Sequence, residues 1–260
     1  PSRSAGTDIR LREGFIIVAL FWITLALFGS IPFLMLPASS LTITDAIFES
    51  TSGLTTTGAT VMSNLDLLPK GLLFYRAQLQ WLGGLGIVVL AVAIMPLLGV
   101  GGMRLYKADS ASSLGDAKLN PRQKETAKSL GKIYLALTLT CIVCFWIAGM
   151  SFFDAICHGL TTIAIGGFST HDASFGFYQG DPQIFWVASV FMLLAGVNFS
   201  LHFFAWKNKT LSNYLLDSEF KAYISLLLIV VLISGMTLIS SNSLTSFSEL
   251  FFQVVSIGTT

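Results

Sequence analysis

Charge is scarce in this sequence. Of 260 residues only 29 are Lys, Arg, Asp or Glu, which is 11% against about 25% in soluble domains. That excludes a surface built to face water. A net charge of +1 withholds the basic footprint that nucleic acid binding needs. Cysteine is equally sparse: Cys141, Cys144 and Cys157 are too few for a disulfide framework, and each stands in apolar surroundings where it reads as a small hydrophobe. No nucleophile and base stand at a motif spacing, so neither an enzyme nor a covalent cofactor is expected. Gly83, Gly84 and Gly86 lack the preceding strand that a dinucleotide signature requires and read as close helix packing or a kink. Cys157, His158, His171 and Asp172 have metal-capable side chains, but no transition-metal site is expected among them. The chain opens without Met and without a cleavable-signal pattern, and so reads as an internal piece of a longer polypeptide.

What is abundant is apolar bulk. Hydrophobic residues make up 53% of the chain, 21 of them Phe, and the mean hydropathy is +0.74, so a bilayer has to act as solvent. Measured against the roughly 20 residues needed to cross a membrane, the uncharged runs give five spans: 15–36, 72–98, 130–150, 183–206 and 222–240. Arg76 and Lys132, near span ends, are expected to snorkel to the interface. Asn198 and His202, four residues apart in the fourth span, read as partners for a neighbouring helix or as lining of an inner cavity. The flanking charges are lopsided. Segments 1–14, 99–132 and 207–221 hold thirteen Lys and Arg against seven carboxylates, while the opposite side holds Lys70 and Arg76 against seven. The first face is expected to be cytoplasmic.

Stretches after the first, third and fifth spans repeat one another. Asp45-Ala46-Ile47 matches Asp154-Ala155-Ile156, and Gly58 matches Gly167, both at an offset of 109. A third copy starts at Glu249 and places Thr259 and Thr260 opposite Thr55 and Thr56. The organisation expected is a lead-in over 1–14, a first span-loop-span repeat over 15–98, a cytoplasmic loop over 99–129, a second repeat over 130–206, a loop over 207–221, and a third repeat over 222–260 truncated in its loop. Each repeated segment offers about ten moderately apolar residues, roughly 15 Å as a helix, which suits a half-helix that enters the bilayer and turns back. Asp45 and Asp154 sit where a side-chain oxygen can cap its first turn.

Irregular backbone at membrane depth needs protein or water around it. A Thr-Thr-Thr-Gly stretch there implies a polar cavity, and stacked backbone carbonyls from converging loops can replace the hydration shell of a cation without trapping it. Glycine permits the positive φ that aims successive carbonyls into one lumen. The candidate filter residues are Thr55, Thr56, Thr57 and Gly58; Ala164, Ile165, Gly166 and Gly167; and Thr259 and Thr260. The competing reading is a membrane scaffold or receptor subunit whose loops only pack.

The stretch from Phe48 to Thr60, with Gly53-Leu54-Thr55-Thr56-Thr57-Gly58 at its centre, resembles the first pore loop of the TrkH/KtrB family of potassium transporters. Trp81-Leu82-Gly83-Gly84-Leu85-Gly86, Gly102-Met103-Arg104-Leu105-Tyr106-Lys107 and Ile165-Gly166-Gly167-Phe168-Ser169-Thr170 resemble its TrkH branch. The resemblance implies an all-α polytopic membrane protein of helix, re-entrant pore helix, filter loop and helix units, arranged as a potassium-channel-like pseudo-tetramer of which this chain is an incomplete part. It further implies passive, gated K+ uptake in a bacterial inner membrane, a homodimer, and a TrkA-like cytoplasmic nucleotide-binding regulatory subunit.

Overall fold

The computed structural model describes residues 11–35, 41–98, 121–240 and 246–259. Among them the regular structure is helical. Helix α1 (Leu11–Gly29) is followed by α2 (Ile31–Met35), and together they make a span over Phe15–Met35. Then come α3 (Ile43–Leu54), α4 (Lys70–Leu98), α5 (Pro121–Ile147), α6 (Phe152–Ile163), α7 (Pro182–Gly196), α8 (Phe199–Asn208), α9 (Ser212–Leu216), α10 (Ser218–Ser240) and α11 (Phe247–Thr259). Among the described residues four helical segments are long and apolar enough to cross a membrane, or five if the bent pair α7 and α8 forms one. The chain is an all-α polytopic membrane protein.

One face of α10 packs inward through Leu227 and Val231, and the rest stays apolar: Leu228, Ile229, Leu232 and Ile233 are all more than half exposed, as expected of a helix whose solvent is lipid. Two interior clusters hold the rest. Ala26, Phe33, Ala46, Leu54, Leu72 and Leu79 seat α3 between α1 and α4. Phe145, Ile163, Ile184, Phe185, Phe252 and Val255 join α5, α6, α7 and α11. The contact of α4 with the end of α3 is close enough that a Cβ on Gly83 would overlap the Leu54 carbonyl oxygen, so this glycine does serve helix packing.

Three expectations are corrected. The apolar run 183–206 is not one straight span. Val197 and Asn198 leave the helical region, with ψ of 143° and 116°, and α7 and α8 meet at 90°. Asn198 Oδ1 accepts the Ser200 N–H at 3.0 Å, and the His202 ring bonds Leu194 O at 2.8 Å and Tyr214 Oη at 2.7 Å, satisfying main-chain and side-chain groups at the break. The polar segment 99–129 is not all loop, because α5 already begins at Pro121, where the missing N–H of a proline costs a first turn nothing. Arg76 does not snorkel: it is 1% exposed.

Candidate functional site

The three half-helices are α3, α6 and α11, of 12, 12 and 13 residues, slightly longer than the sequence suggested. Their starts share a capping pattern. Thr42 Oγ1 accepts the Asp45 N–H at 3.2 Å, while the Asp45 carboxylate accepts from Thr42 N at 3.0 Å and from the Thr42 hydroxyl at 2.7 Å. Ser151 Oγ accepts the Asp154 N–H at 3.1 Å and donates to Asp154 Oδ2 at 2.6 Å. The caps are therefore Thr42 and Ser151, and the two carboxylates sit three residues inside; the reciprocal capping box is complete at Thr42, while Asp154 is bonded by the Ser151 and Thr170 hydroxyls. Ser246, just before α11, and Glu249, in its first turn, stand at the same spacing.

The helix ends carry the site. At the end of α3 the Thr57 N–H reaches Ser52 O at 2.9 Å and the Thr56 N–H reaches Gly53 O at 3.0 Å. At the end of α6 the Gly166 N–H reaches Thr161 O at 2.9 Å and the Ile165 N–H reaches Thr162 O at 3.1 Å. This is the Schellman pairing, in which the residue beyond the cap is left-handed and is usually glycine. Here it is Thr56 at φ 55° and Ile165 at φ 50°. A β-branched residue in that region stores strain of about 1–3 kcal/mol, and it does so twice, 109 residues apart. Two residues further on, Gly58 and Gly167 are again left-handed, at 76° and 82°. Each loop thus leaves its half-helix through the same sequence of backbone states, and the glycines identified in the sequence hold the positions that need them.

The loops meet. A Cβ built on Gly58 would overlap the Gly166 carbonyl oxygen, and one on Gly167 would lie 4.0 Å from Gly58 Cα. Hydroxyls stiffen the first loop: Thr55 Oγ1 lies 2.8 Å from Thr51 O and 2.7 Å from Thr57 Oγ1, and Ser52 Oγ donates to Ala59 O at 2.6 Å. Thr259 is the last residue of α11 and its hydroxyl turns back onto Val255 O at 2.8 Å, much as Thr55 turns onto Thr51. Thr260 lies outside the described residues.

Behind the loops is a polar layer that sequence reasoning did not assign. Glu49 and Arg76 are 0% and 1% exposed. The Arg76 Nη2 atom lies 2.7 Å from Glu49 Oε1, and Nε donates to the same oxygen at 2.8 Å. The guanidinium also donates to Thr60 Oγ1 at 3.0 Å and to Ser169 O at 3.2 Å, and it lies 4.2 Å from the centre of the Phe168 ring. Thr60 and the Val61 N–H complete the Glu49 carboxylate. The equivalent positions in the second repeat, His158 and Ser169, are paired by the His158 Nε2 to Ser169 Oγ contact of 3.1 Å. Because the Asp154 carbonyl at 3.0 Å from Nδ1 can only accept, Nδ1 carries the proton and Nε2 accepts from Ser169. From α4, Gln80 also reaches the second loop, donating to Gly166 O at 2.5 Å and accepting the Phe168 N–H at 3.1 Å. A charge inside an apolar run was the signal available for Arg76; its partner Glu49 and Gln80 had none.

In the segments that follow the two loops, at Asp66 and His171, the repeats are latched. The His171 ring bonds Asp66, whose second oxygen accepts the Asp172 N–H at 3.3 Å, and Phe177 stacks on His171 at 3.6 Å. The hydrogen bond from His171, then that from the Asp172 amide, holds the Asp66 carboxyl below the usual carboxylate value. A depressed carboxylate stabilises this contact above its ordinary range and loses it as pH falls through the lowered pKa. Hydrogen exchange of the Asp172 amide, normalised to its intrinsic rate, is therefore expected to stay protected from pH 7 to 5 and to lose protection below about pH 4. Unchanged protection at pH 7 in Asp66→Ala would show that Asp66 does not hold the latch. Among the described residues no group of three or more His, Cys, Asp and Glu converges as metal ligands do.

Comparison with known proteins matches this arrangement along its whole length. The sequence profile of a family described as TrkH, cation transport protein, matches residues 1–260. A Trk system potassium uptake protein TrkH from Halomonas elongata is 50% identical over 263 residues, covering 100% of this chain and 54% of that protein. The protein of the same description from Salmonella typhimurium is also 50% identical, with the same coverage. The crystal structure of the potassium transporter TrkH from Vibrio parahaemolyticus superposes with a TM-score of 0.85 at 46% identity, over 100% of this chain and 52% of that one. The chain spans about half the length of the curated relatives it matches.

Proposed function

That the chain belongs to the TrkH family of cation transport proteins is the premise from which we propose that it takes part in potassium uptake across a membrane. The ion passes through a narrow path walled by main-chain oxygens of residues 55–58, of residues 164–167, and of the loop beginning at Thr259 and Thr260. Movement is passive and gated, K+ is cargo and not a resident cofactor, and no covalent chemistry is involved. The observation that carries this reading is the strained turn made twice in one register, Thr56 with Gly58 and Ile165 with Gly167. Strain of that kind persists where the surroundings enforce it, and carbonyls fixed in a converging set replace water around a cation at little reorganisation cost.

The wider assignment follows the family and the charge distribution. The protein sits in a bacterial inner membrane with residues 1–14, 99–129 and 207–221 in the cytoplasm, where its Lys and Arg concentrate. The remaining parts of the same polypeptide complete the wall of the path. It pairs as a homodimer and meets a cytoplasmic nucleotide-binding regulatory subunit. The test is rubidium uptake into liposomes holding the full-length polypeptide that carries this chain. Uptake above empty vesicles, displaced by K+ at far lower concentration than by Na+, is expected. Uptake no greater than in empty vesicles, the behaviour of a scaffold whose loops only pack, would overturn the reading.

A further inference from the structure

The second loop is held from outside its own repeat. Gln80 lies on α4, the helix that follows the first loop, and is 0% exposed. Its amide makes two opposed bonds to one short stretch of main chain: Nε2 donates to Gly166 O at 2.5 Å, and Oε1 accepts from Phe168 N at 3.1 Å. The residue between those two is Gly167, exposed and left-handed at φ 82°. The side chain therefore grips the buried residue on either side of the one loop position that faces open space. Both peptide planes flanking Gly167 are fixed by it. Gly166 fits this grip only without a side chain, since a Cβ there would collide with the Gln80 amide.

The first loop is braced differently. Ser52, on its own half-helix, donates to Ala59 O at 2.6 Å. The matching residue in the second repeat, Thr161, turns instead to His158 O at 3.3 Å. Among the described residues, the side-chain bonds to the main chain of residues 164–168 come from Gln80. A neutral amide suits the task, because it presents one donor and one acceptor at the spacing of the loop and adds no charge beside a cation path. Glutamate keeps the shape but cannot donate to Gly166 O when ionised, and methionine keeps the length with neither bond.

We propose that Gln80 is a positioning residue for ion discrimination: it sets the orientation of the carbonyls on either side of Gly167 and so tunes the preference for K+ over Na+. This rests on the reading of residues 164–167 as part of the ion path. Loosening the loop lets its oxygens close around the smaller ion, so preference falls while transport of both ions continues.

The experiment compares full-length wild type, Gln80→Met and Gln80→Glu in liposomes, reading the ratio of K+ to Na+ concentrations that half-compete rubidium uptake. That ratio does not depend on how much folded protein each preparation contains. Both variants are expected to lower the preference by about tenfold, the size of losing the two hydrogen bonds, with Leu82→Ala on the exposed face of the same helix unchanged. An unchanged ratio in both Gln80 variants, or in whichever one of them folds, overturns the proposal. Gly58→Ala and Gly167→Ala run alongside. If these too keep the wild-type ratio, the ion-path reading itself fails, and if they shift while the Gln80 variants do not, only the role of Gln80 is lost.

Discussion

Replacing Arg76 by leucine is expected to destabilise the folded protein by about 3–5 kcal/mol, the usual cost of removing one partner from a buried ion pair. The reason is what is left behind. Glu49 is 0% exposed, and without the guanidinium its carboxylate keeps only the Thr60 hydroxyl and the Val61 N–H. The loss extends across the repeats, since the same guanidinium bonds Ser169 O and covers the Phe168 ring. Thermal denaturation in detergent should show a midpoint lower by on the order of 10 °C. Arg76→Lys should restore little of it, because one ammonium cannot reproduce a planar fork that serves Glu49, Thr60 and Ser169 together. The double variant Arg76→Leu with Glu49→Leu should cost less than the two single changes added, and a fully additive result would show that the two are not coupled.

A methyl group at Gly58 should do more damage to transport than one at Gly167, although both positions are left-handed. The shared penalty is conformational: alanine near φ 76° or 82° costs about 1–2 kcal/mol relative to glycine. Only at Gly58 does the added carbon also meet backbone, the Gly166 carbonyl oxygen of the neighbouring loop, whereas at Gly167 its nearest neighbour is Gly58 Cα at 4.0 Å. Rubidium uptake by full-length Gly58→Ala is expected to fall to the background of empty vesicles, or to lose its K+ over Na+ preference. Gly167→Ala should keep measurable uptake with a reduced preference. The reverse order of severity would mean that the close approach of the loops is not what shapes the path.

Much of this architecture was legible in the sequence because its signals are local. The half-helices follow from segment length, the left-handed glycines from Gly58 and Gly167, and the repeat from an offset of 109. The capping carboxylates were found but placed three residues early, since Thr42 and Ser151 were not read as the first members of a Thr/Ser-x-x-Asp pair. What was missed is non-local. Arg76 reaches residues 27 and 93 positions away, and Gln80 reaches one 86 away, and hydropathy carries no trace of such partners. The bend between α7 and α8 lay in between. An apolar run reports length and not direction, yet Gly196 followed by Asn198, a helix stop and a helix start, was there to be read.

One consequence follows from α4 standing between two loops. Through Arg76 and Gln80 it is bonded to residues of both, so the two loops share a single mounting. A tilt or slide of that helix shifts both at once and in proportion, and the aperture between them responds as a pair of jaws on one lever would, not as two independent hinges.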